Sequence, residues 1–385
     1  MPLSSRPESR GCATTLPTYG NDPPAADEIE VSIFGPGKGE SIVVHLGDNH
    51  WIVVDSCRDQ TNGEIPPLAY LNSMEVALKD AVRLVVGTHA HDDHIAGLSS
   101  VYEACEASSF VCSAALSTDE FYALAEDDER VGSLVRERVY REYRSIFDIA
   151  RTRPRSLQGR RPLIRATERL SLLSIPVQDT QAEILAISPS QEALTRSIRK
   201  LADGALRLGE LPRSPAADPN ELAVALWITV GNRSILLGAD LLKGPVGCGW
   251  QGALDWHRPA RKAEVVKVPH HGAPNAHWAP MWADLAVPEP LALLAPYRGG
   301  KTKRPAPDDI VRILELTPDA YITASPRRLP PSSTVRGIGA MINQVGRNVQ
   351  DPWGKVGHVR ARAQISEGHW QVQCMPPASH LFAYR

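Results

Sequence analysis

Short runs of hydrophobic residues, each followed directly by polar residues, recur along the chain. Four of them end at residue types that commonly bind metal ions, namely Trp51–Val54 before Asp55, Val82–Gly87 before residues 88–94, Arg233–Ala239 before Asp240, and Val265–Pro269 before His270 and His271. Runs of this length, rich in β-branched residues, are typical of buried strands. Because α/β proteins usually carry their chemistry at the carboxyl ends of strands, we expect these polar ends to form one joint site. Taken singly, Asp55 or Asp240 could equally form a turn or cap a helix.

Other patterns predict elements outside these four strands. Apolar residues at helical spacing predict helices over about 118–150 and 191–205. Alternating polarity on both sides of residues 366–369 predicts a C-terminal β-hairpin. Residues 1–28 are rich in Pro, Ser and Thr, which predicts a flexible N-terminal segment.

The most informative segment is residues 89–94, which places three histidines and two aspartates in six positions. On an extended loop, His89 and His91 point to the same side and can bind one metal ion through imidazole nitrogen. Asp93 and His94 follow at once and offer ligands for a second ion. A solvated polar turn would be the alternative, but three of only twelve histidines fall here. A two-metal site also needs a bridging carboxylate and a further imidazole, which Asp240 and the histidine pair 270–271 could supply.

Bulk properties narrow the class of protein. The 385 residues are 43% hydrophobic, which is enough for one large core or two moderate ones. A net charge of −2 gives no overall field that would attract nucleic acid or membrane. The six cysteines form no CxxC pair or regular framework, which favours reduced thiols. No run reaches the ~18 apolar residues of a membrane span, and the first ten residues lack the apolar region of a secretion signal. These features predict a cytoplasmic protein with no membrane contact.

The segment His89–His94 matches the HxHxDH signature of metallo-β-lactamase-fold hydrolases. The wider sequence resembles the soluble β-lactamase-like domain of ComEC-type competence proteins, which take up DNA. Val31–Ser41 resembles the opening strand and Gly-Gln-Gly-Asp turn of that group, Gly238–Asp240 resembles its Thr-Gly-Asp, and Lys267–Gly272 is similar to its Lys-Val-Pro-His-His-Gly. The resemblance covers roughly residues 29–325. It predicts a hydrolase domain over that range with a helical insertion at about 115–165, preceded by the N-terminal segment and followed by a C-terminal extension over 326–385.

The resemblance implies an α/β (α+β) protein with a four-layer αββα sandwich and two divalent ions in a groove at the edge of the sheets. It implies that His89 and His91 bind the first ion and that Asp93 and His94 bind the second. Asp240 would bridge the ions, and His271 would complete the second site, with His270 as the alternative. Otherwise His270 would lie behind the ligands or face the substrate. Asp55 would support the ligand loop from outside.

Two departures from the family pattern leave parts of the site open. Many members supply the first ion with another histidine, whereas this chain has none between His94 and His257. Asp218, Asn220 or a water molecule could fill that position. Where competence-type proteins tend to carry a His-Pro, this chain has residues 303–307, Lys-Arg-Pro-Ala-Pro. We expect the ions to be Zn²⁺. Mn²⁺ stays open as the alternative, because a site with fewer imidazoles binds zinc less tightly and tolerates manganese better.

The expected reaction is hydrolysis by a metal-activated water molecule, with Asp93 as the proton acceptor. The resemblance and nearby cations favour a phosphodiesterase or nuclease acting on DNA or RNA. Lys301, Lys303 and Arg304 are candidates for phosphate contacts, and His277 is a further candidate for the groove. Two alternatives stay open: hydrolysis of a lactone, thioester or β-lactam, and a non-catalytic module that binds nucleic acid or nucleotides. The sequence predicts no particular partner protein.

Overall fold

The structure is a computed structural model, which describes residues 22–116, 134–154, 161–206, 218–299, 302–327 and 355–385. Two eight-stranded sheets form the centre of the described chain. The first sheet has, in spatial order, Gln371–Met375 (β15), Gly357–Gln364 (β14), Glu28–Gly35 (β1), Ser41–His45 (β2), Trp51–Val54 (β3), Val82–Gly87 (β4), Ser109–Ser113 (β5) and Leu163–Ala166 (β6). Strands β3 to β6 run parallel, and their partners from β15 to β3 are antiparallel.

The second sheet repeats this mixture of directions. In spatial order it has Ser379–His380 (β16), Ala320–Ile322 (β13), Ala286–Leu294 (β12), Ala263–Lys267 (β11), Arg233–Leu237 (β10), Leu226–Val230 (β9), Thr180–Ala186 (β8) and Leu170–Val177 (β7). Strands β10 to β13 are parallel, and the strands from β7 to β10 are antiparallel. In both sheets the parallel strands are the ones that end at the predicted site.

Helices cover the outer faces of the two sheets. They are Pro66–Ser73 (α1), Leu78–Ala81 (α2), Asp92–Ile95 (α3), Leu98–Ala104 (α4), Leu134–Thr152 (α5), Gln191–Leu206 (α6), Gly249–Trp256 (α7), Ala279–Leu285 (α8) and Pro307–Leu316 (α9), with 3₁₀ turns at Pro219–Leu222, Pro269–Gly272 and Leu381–Tyr384. Helices α1, α4 and α5 pack on the first sheet, and α7, α8 and α9 pack on the second. No helix in the described residues is long and apolar enough to cross a membrane.

Alternation of side chains within single strands builds the layers. In β10, Ile235 and Leu237 face the interior between the sheets, whereas Leu236 packs against the outer helices. In β1, Ile33 faces the same interior and Phe34 packs under α1. Because both faces of these strands are covered, the strands are apolar throughout, which is why they appear in the sequence as continuous hydrophobic runs. The predicted αββα sandwich is confirmed.

The helix and hairpin predictions have different outcomes. The predicted helix 191–205 is observed as α6, and the predicted hairpin is formed by β14 and β15. The predicted helix 118–150 is observed as α5 from Leu134 onward, and residues 117–133 lie outside the described residues. Of the predicted N-terminal segment, only residues 22–28 are described. The domain boundaries stay a prediction, but the structure shows that residues 355–385 contribute strands to both sheets.

Arg233 fastens the C-terminal hairpin to the second sheet. Its guanidinium donates to the carbonyl oxygens of Gln364 and Gly368 and pairs with Glu264 at 2.7 Å. The indole of Trp370 donates to the same Glu264 carboxylate. Three separate segments therefore depend on one buried cation for their hydrogen bonds.

We expect Arg233→Ala to lower the free energy of unfolding by ~2–3 kcal/mol, because two carbonyl groups and a carboxylate lose their donor. Arg233→Lys should recover only part of the loss, since an ammonium group cannot reproduce the planar fork. Denaturant unfolding measures the effect, with the exposed Arg261→Ala as the matched control at within ~0.5 kcal/mol. Equal stability of the two alanine variants would contradict this account of the hairpin.

Candidate metal centre

The predicted ligands come together where parallel strands of both sheets end. Strand β4 leads into the loop that carries residues 89–94, and β3 leads into Asp55. In the second sheet, β10 leads into Asp240 and β11 into the turn Pro269–Gly272. The candidate ligands are buried, except for the partly exposed His91 and His270.

One carboxylate oxygen, Oδ2 of Asp240, lies at the centre of this arrangement. Four imidazole Nε2 atoms lie around it, at 4.0 Å for His89, 3.5 Å for His94, 3.9 Å for His270 and 3.4 Å for His271. A carboxylate surrounded by imidazole nitrogens in this way is suited to bridging two cations.

A second carboxylate separates these imidazoles into two sets. Asp93 Oδ2 lies 3.7 Å from Nε2 of His94 and 3.5 Å from Nε2 of His271. Both of those Nε2 atoms are buried and have no hydrogen-bond partner among the described residues. Ligands ~2.0–2.1 Å from a tetrahedral cation lie about 3.4 Å apart, close to these spacings. The donor set around Asp93 and Asp240 therefore fits a divalent ion.

The other side of Asp240 is occupied by the first two histidines of the motif. Nε2 of His89 lies 3.1 Å from Nδ1 of His91, and the two rings meet edge to face. His89 and His91 are the pair that the sequence assigns to the first ion, and of the two His89 is the one that approaches Asp240, at 4.0 Å. Asp218 accepts a hydrogen bond from the backbone of Asn220 within its own turn, whereas the side chain of Asn220 is buried beside His270.

Asp55 orients a histidine from each group. Its Oδ2 lies 2.7 Å from Nδ1 of His94 and accepts a hydrogen bond from the Thr88 hydroxyl at 2.8 Å. That hydroxyl lies 2.9 Å from Nδ1 of His89. Because the Thr88 proton is directed at Asp55, the Thr88 oxygen accepts from Nδ1 of His89, and the Nε2 atoms of both histidines face the centre. This is the supporting arrangement expected for Asp55.

His271 is held by a backbone group instead. Its Nδ1 lies 3.0 Å from the carbonyl oxygen of Ala295, and its ring stacks on Tyr297 at a centroid distance of 5.3 Å. His270 has its Nδ1 3.0 Å from Oδ1 of Asn275. Of the two histidines, His271 is the buried one and the one that approaches Asp93.

Two charged residues of the site were absent from the predicted set. Glu40 lies within 4.8 Å of donor atoms of His94, Asp240 and His271, and its Oε1 is 2.5 Å from Nζ of Lys267. Lys267 also donates to the carbonyl oxygen of Ala239 and approaches Asp240 Oδ1 at 3.4 Å. The signal available in the sequence was a lone lysine inside the apolar strand Val265–Val268.

Comparison with known proteins agrees with this architecture. The sequence model of the metallo-β-lactamase superfamily matches residues 34–175, which includes the first-sheet half of the site. The chain has the metallo-β-lactamase fold. A search of curated proteins gives no match.

Solved structures of the same fold resemble the chain only distantly. The metallo-β-lactamase fold protein YhfI from Bacillus subtilis is 11% identical over 62% of this chain and 70% of its own, with a TM-score of 0.29. A mutant of CmlA β-hydroxylase is 10% identical over 64% and 36%, with a TM-score of 0.30. Zn²⁺-bound PqqB from Methylobacterium extorquens is 12% identical over 59% and 58%, with a TM-score of 0.28. Likeness at this level carries no argument about activity.

Charges within this metallo-β-lactamase fold are strongly coupled. Burial lowers the pKa of His94, but the carboxylates of Asp240, Asp93 and Asp55 outweigh it and raise that pKa well above the ordinary value. The same competition, led by Asp240, raises the pKa of His271 to about 10. His89 is farther from the carboxylates, and burial holds its pKa well below the ordinary value. Without metal, His94 and His271 are therefore protonated on both ring nitrogens, and positively charged, at neutral pH.

The predicted substrate-binding residues do not gather around Asp240 as the predicted ligands do. Arg304 pairs with Asp309 at 2.7 Å, and that aspartate also caps α9. Lys303 donates to the carbonyl oxygen of Arg298 at 2.5 Å. Lys301 lies outside the described residues. His277 lines a separate depression beside Arg312.

Other side chains lie at the rim of the candidate site. Lys38, on the turn before β2, pairs with Asp92 of the motif loop at 2.8 Å and is 38% exposed. The backbone joins the same two segments, because Glu40 donates to the carbonyl oxygen of Asp93. The half-buried ring of Tyr297 covers His271 from the other side, and burial and then Asp93 raise the pKa of its hydroxyl.

We expect metal binding to release protons at neutral pH. Divalent ions bind neutral imidazole, whereas the raised pKa values keep His94 and His271 protonated in the metal-free protein. Metal affinity should therefore rise with pH until the pKa of His271, about 10, is passed. Calorimetric titration with Zn²⁺ at pH 7 in buffers of different ionisation enthalpy counts the protons. Heats that do not depend on the buffer would contradict this charge assignment.

Proposed function

We propose that the protein is a metal-dependent hydrolase that uses a metal-activated water molecule to cleave phosphodiesters. The superfamily match and the donor clusters support a metal-dependent hydrolase of the metallo-β-lactamase fold. The observation that carries the proposal is the convergence on Asp240 of imidazole nitrogens from both sheets, with the Nε2 atoms of His94 and His271 buried and unpartnered among the described residues.

The residues of the site could hold two metal ions and orient the attacking water molecule. Two bound divalent ions would lower the pKa of a water molecule and polarise the bond under attack. Oδ2 of Asp93 faces the same space. Burial raises the pKa of Asp93, but His94 and His271 outweigh burial and hold that pKa below its ordinary value, so that Asp93 is an ionised carboxylate. An ionised carboxylate there can orient a water molecule and accept its proton.

A nucleophilic cysteine is not part of this proposal. Among the described residues, Cys57 is a buried cysteine that interacts electrostatically with Glu40, Asp55 and Asp93 of the site. Burial, and then the negative charge of Glu40, raise the pKa of its thiol far above the ordinary value. A thiol that stays protonated is a poor nucleophile.

A phosphodiester is the proposed substrate for two reasons. The sequence resembles the DNA-uptake group in its ligand segments, and a lysine stands at the rim of the site. Lys38 is bound to the motif loop through Asp92 and is partly exposed, and we propose its ammonium group as a contact for a phosphate oxygen. Because the net charge is −2, phosphate binding depends on such local cations.

The direct test is cleavage of labelled single- and double-stranded DNA and RNA, with bis-p-nitrophenyl phosphate as a generic substrate, each with Zn²⁺ and with Mn²⁺. We expect Asp240→Ala to abolish turnover, because the bridging carboxylate is lost. Asp93→Asn should lower kcat by ~10² or more through loss of the proton acceptor. The exposed Asp179→Asn is the matched control and should leave the rate unchanged. Cleavage of lactones, thioesters or β-lactams alone, or nucleic-acid binding without turnover, would replace the proposal by one of its alternatives.

A second prediction concerns Lys38. We expect Lys38→Met to weaken binding of the phosphodiester and to flatten its dependence on salt by about one unit of slope, without loss of metal. Lys79→Met is the matched control. Lys79 also pairs with an acid on the surface, Glu106 at 2.9 Å, but it lies on α2 and not beside the motif loop. An unchanged salt slope for Lys38→Met would remove this lysine from the binding site.

A further inference from the structure

We propose that the two consecutive histidines after β11 serve different ions. His271 would bind the ion held by Asp93 and His94, and His270 would give the first ion the third imidazole that is missing between His94 and His257. This inference rests on the two-ion centre of the proposed function. The first ion would then be held by imidazole nitrogens of His89, His91 and His270, together with the Asp240 carboxylate.

The distances separate the imidazoles into these two sets. His94 and His271 approach both carboxylates, with Nε2 atoms 3.5 and 3.4 Å from Asp240 Oδ2 and 3.7 and 3.5 Å from Asp93 Oδ2. His270 instead resembles His89, because their Nε2 atoms lie 3.9 and 4.0 Å from Asp240 Oδ2. His270 thus approaches Asp240 at the same spacing as His89, which the resemblance assigns to the first ion.

The tautomer of His270 also suits a ligand. Its Nδ1 faces Oδ1 of Asn275 at 3.0 Å, and an amide oxygen can only accept. Nδ1 therefore carries the proton, and the lone pair of Nε2 faces the centre. Asn275 thus accepts a hydrogen bond from Nδ1 of His270, as the Ala295 carbonyl oxygen does from Nδ1 of His271.

The backbone of the turn brings both histidines to one centre. His270 and His271 have φ of 48° and 52°, in the left-handed region that residues with a Cβ rarely adopt. The conformation is held by hydrogen bonds from the His270 amide to Ala239 and from the Ala273 amide to His270. Strained residues of this kind cluster at functional sites. An extended chain would send successive side chains in opposite directions, whereas this turn brings both to Asp240.

Asn220 supplies an independent observation on the same side. Its side chain is buried, Oδ1 has no partner among the described residues, and Nδ2 lies 3.5 Å from Nε2 of His270. Its 3₁₀ turn precedes β9, in the segment where the family resemblance places the missing histidine. In this orientation Nδ2 of Asn220 donates to Nε2 of His270, and a rotation of the amide by 180° would bring Oδ1 to the same position, where a cation would satisfy both Oδ1 and Nε2. Asn220 would then be an oxygen ligand of the first ion.

The experiment is a metal titration of the full chain with Zn²⁺ against a competing chelator, followed by elemental analysis, and the same titration with Co²⁺ followed by its visible absorption. For the unaltered protein we expect two ions per chain. His270→Ala should weaken one ion by more than the ~10–100-fold typical of losing an outer supporting residue, and leave the other unchanged. His271→Ala should weaken the other ion. Asn275→Ala, which removes only the support of Nδ1, should cost ~10–100-fold at the His270 ion.

Controls keep the outcomes distinct. The exposed His369→Ala, in the turn of the C-terminal hairpin, should retain both ions. Far-ultraviolet circular dichroism in chelator checks the fold, and His270→Gln replaces His270→Ala if the alanine variant does not fold. Two ions bound to His270→Ala with unaltered affinity and cobalt spectrum would overturn the inference, as would an unaltered protein that binds no metal. Site-specific loss of metal without turnover on any substrate would support the inference and refute the proposed hydrolysis.

Discussion

A buried ammonium group holds the two halves of the candidate site in register. Lys267 is fully buried at the end of β11, and its Nζ contacts Glu40 from the first sheet and the Ala239–Asp240 segment from the second. Burial lowers its pKa, but Glu40 and Asp240 outweigh that effect and keep it charged. A buried charge is strongly destabilising without partners, and so neither loop can move away without leaving this charge unpaired. The position of Asp240 between the imidazoles follows from that constraint.

Four of the histidines at the centre have a hydrogen-bond partner at the ring nitrogen that faces away from Asp240, Nδ1. Asp55 holds His94 directly and His89 through Thr88, while an amide and a carbonyl hold the two histidines of the other sheet. Each contact fixes a ring orientation before any ion arrives, and it keeps the remaining proton on Nδ1 when His94 and His271 lose their Nε2 protons to metal binding. Such preorganisation limits the reorganisation needed when the reaction develops charge. It also explains why the inner Nε2 atoms of His94 and His271 are left without protein partners.

The sequence was sufficient for the parts of the site that are local in the chain. Strand ends, the spacing of residues 89–94 and the position of Asp240 follow from periodicity and ligand chemistry, and the structure brings these residues together. Glu40 and Lys267 were not predicted, because their pairing joins loops more than 200 positions apart and neither residue has the spacing of a metal motif. The cation prediction depended on topology alone, and the structure shows Arg304 bound to Asp309. The assignment of His270 depended on a left-handed turn, which hydrophobic patterning does not encode.

The strand order has a consequence for how the protein is made. β1 pairs with β14 along its whole length, and Arg362 of β14 also reaches Glu30 of β1 across 332 residues of sequence. During synthesis, one edge of β1 therefore stays without its partner until residues 357–364 have left the ribosome. Unpaired edges of this kind invite pairing with other chains, and contacts so distant in sequence form slowly. The first sheet therefore closes late, and a nascent chain halted before residue 357 would expose the unpaired edge of β1.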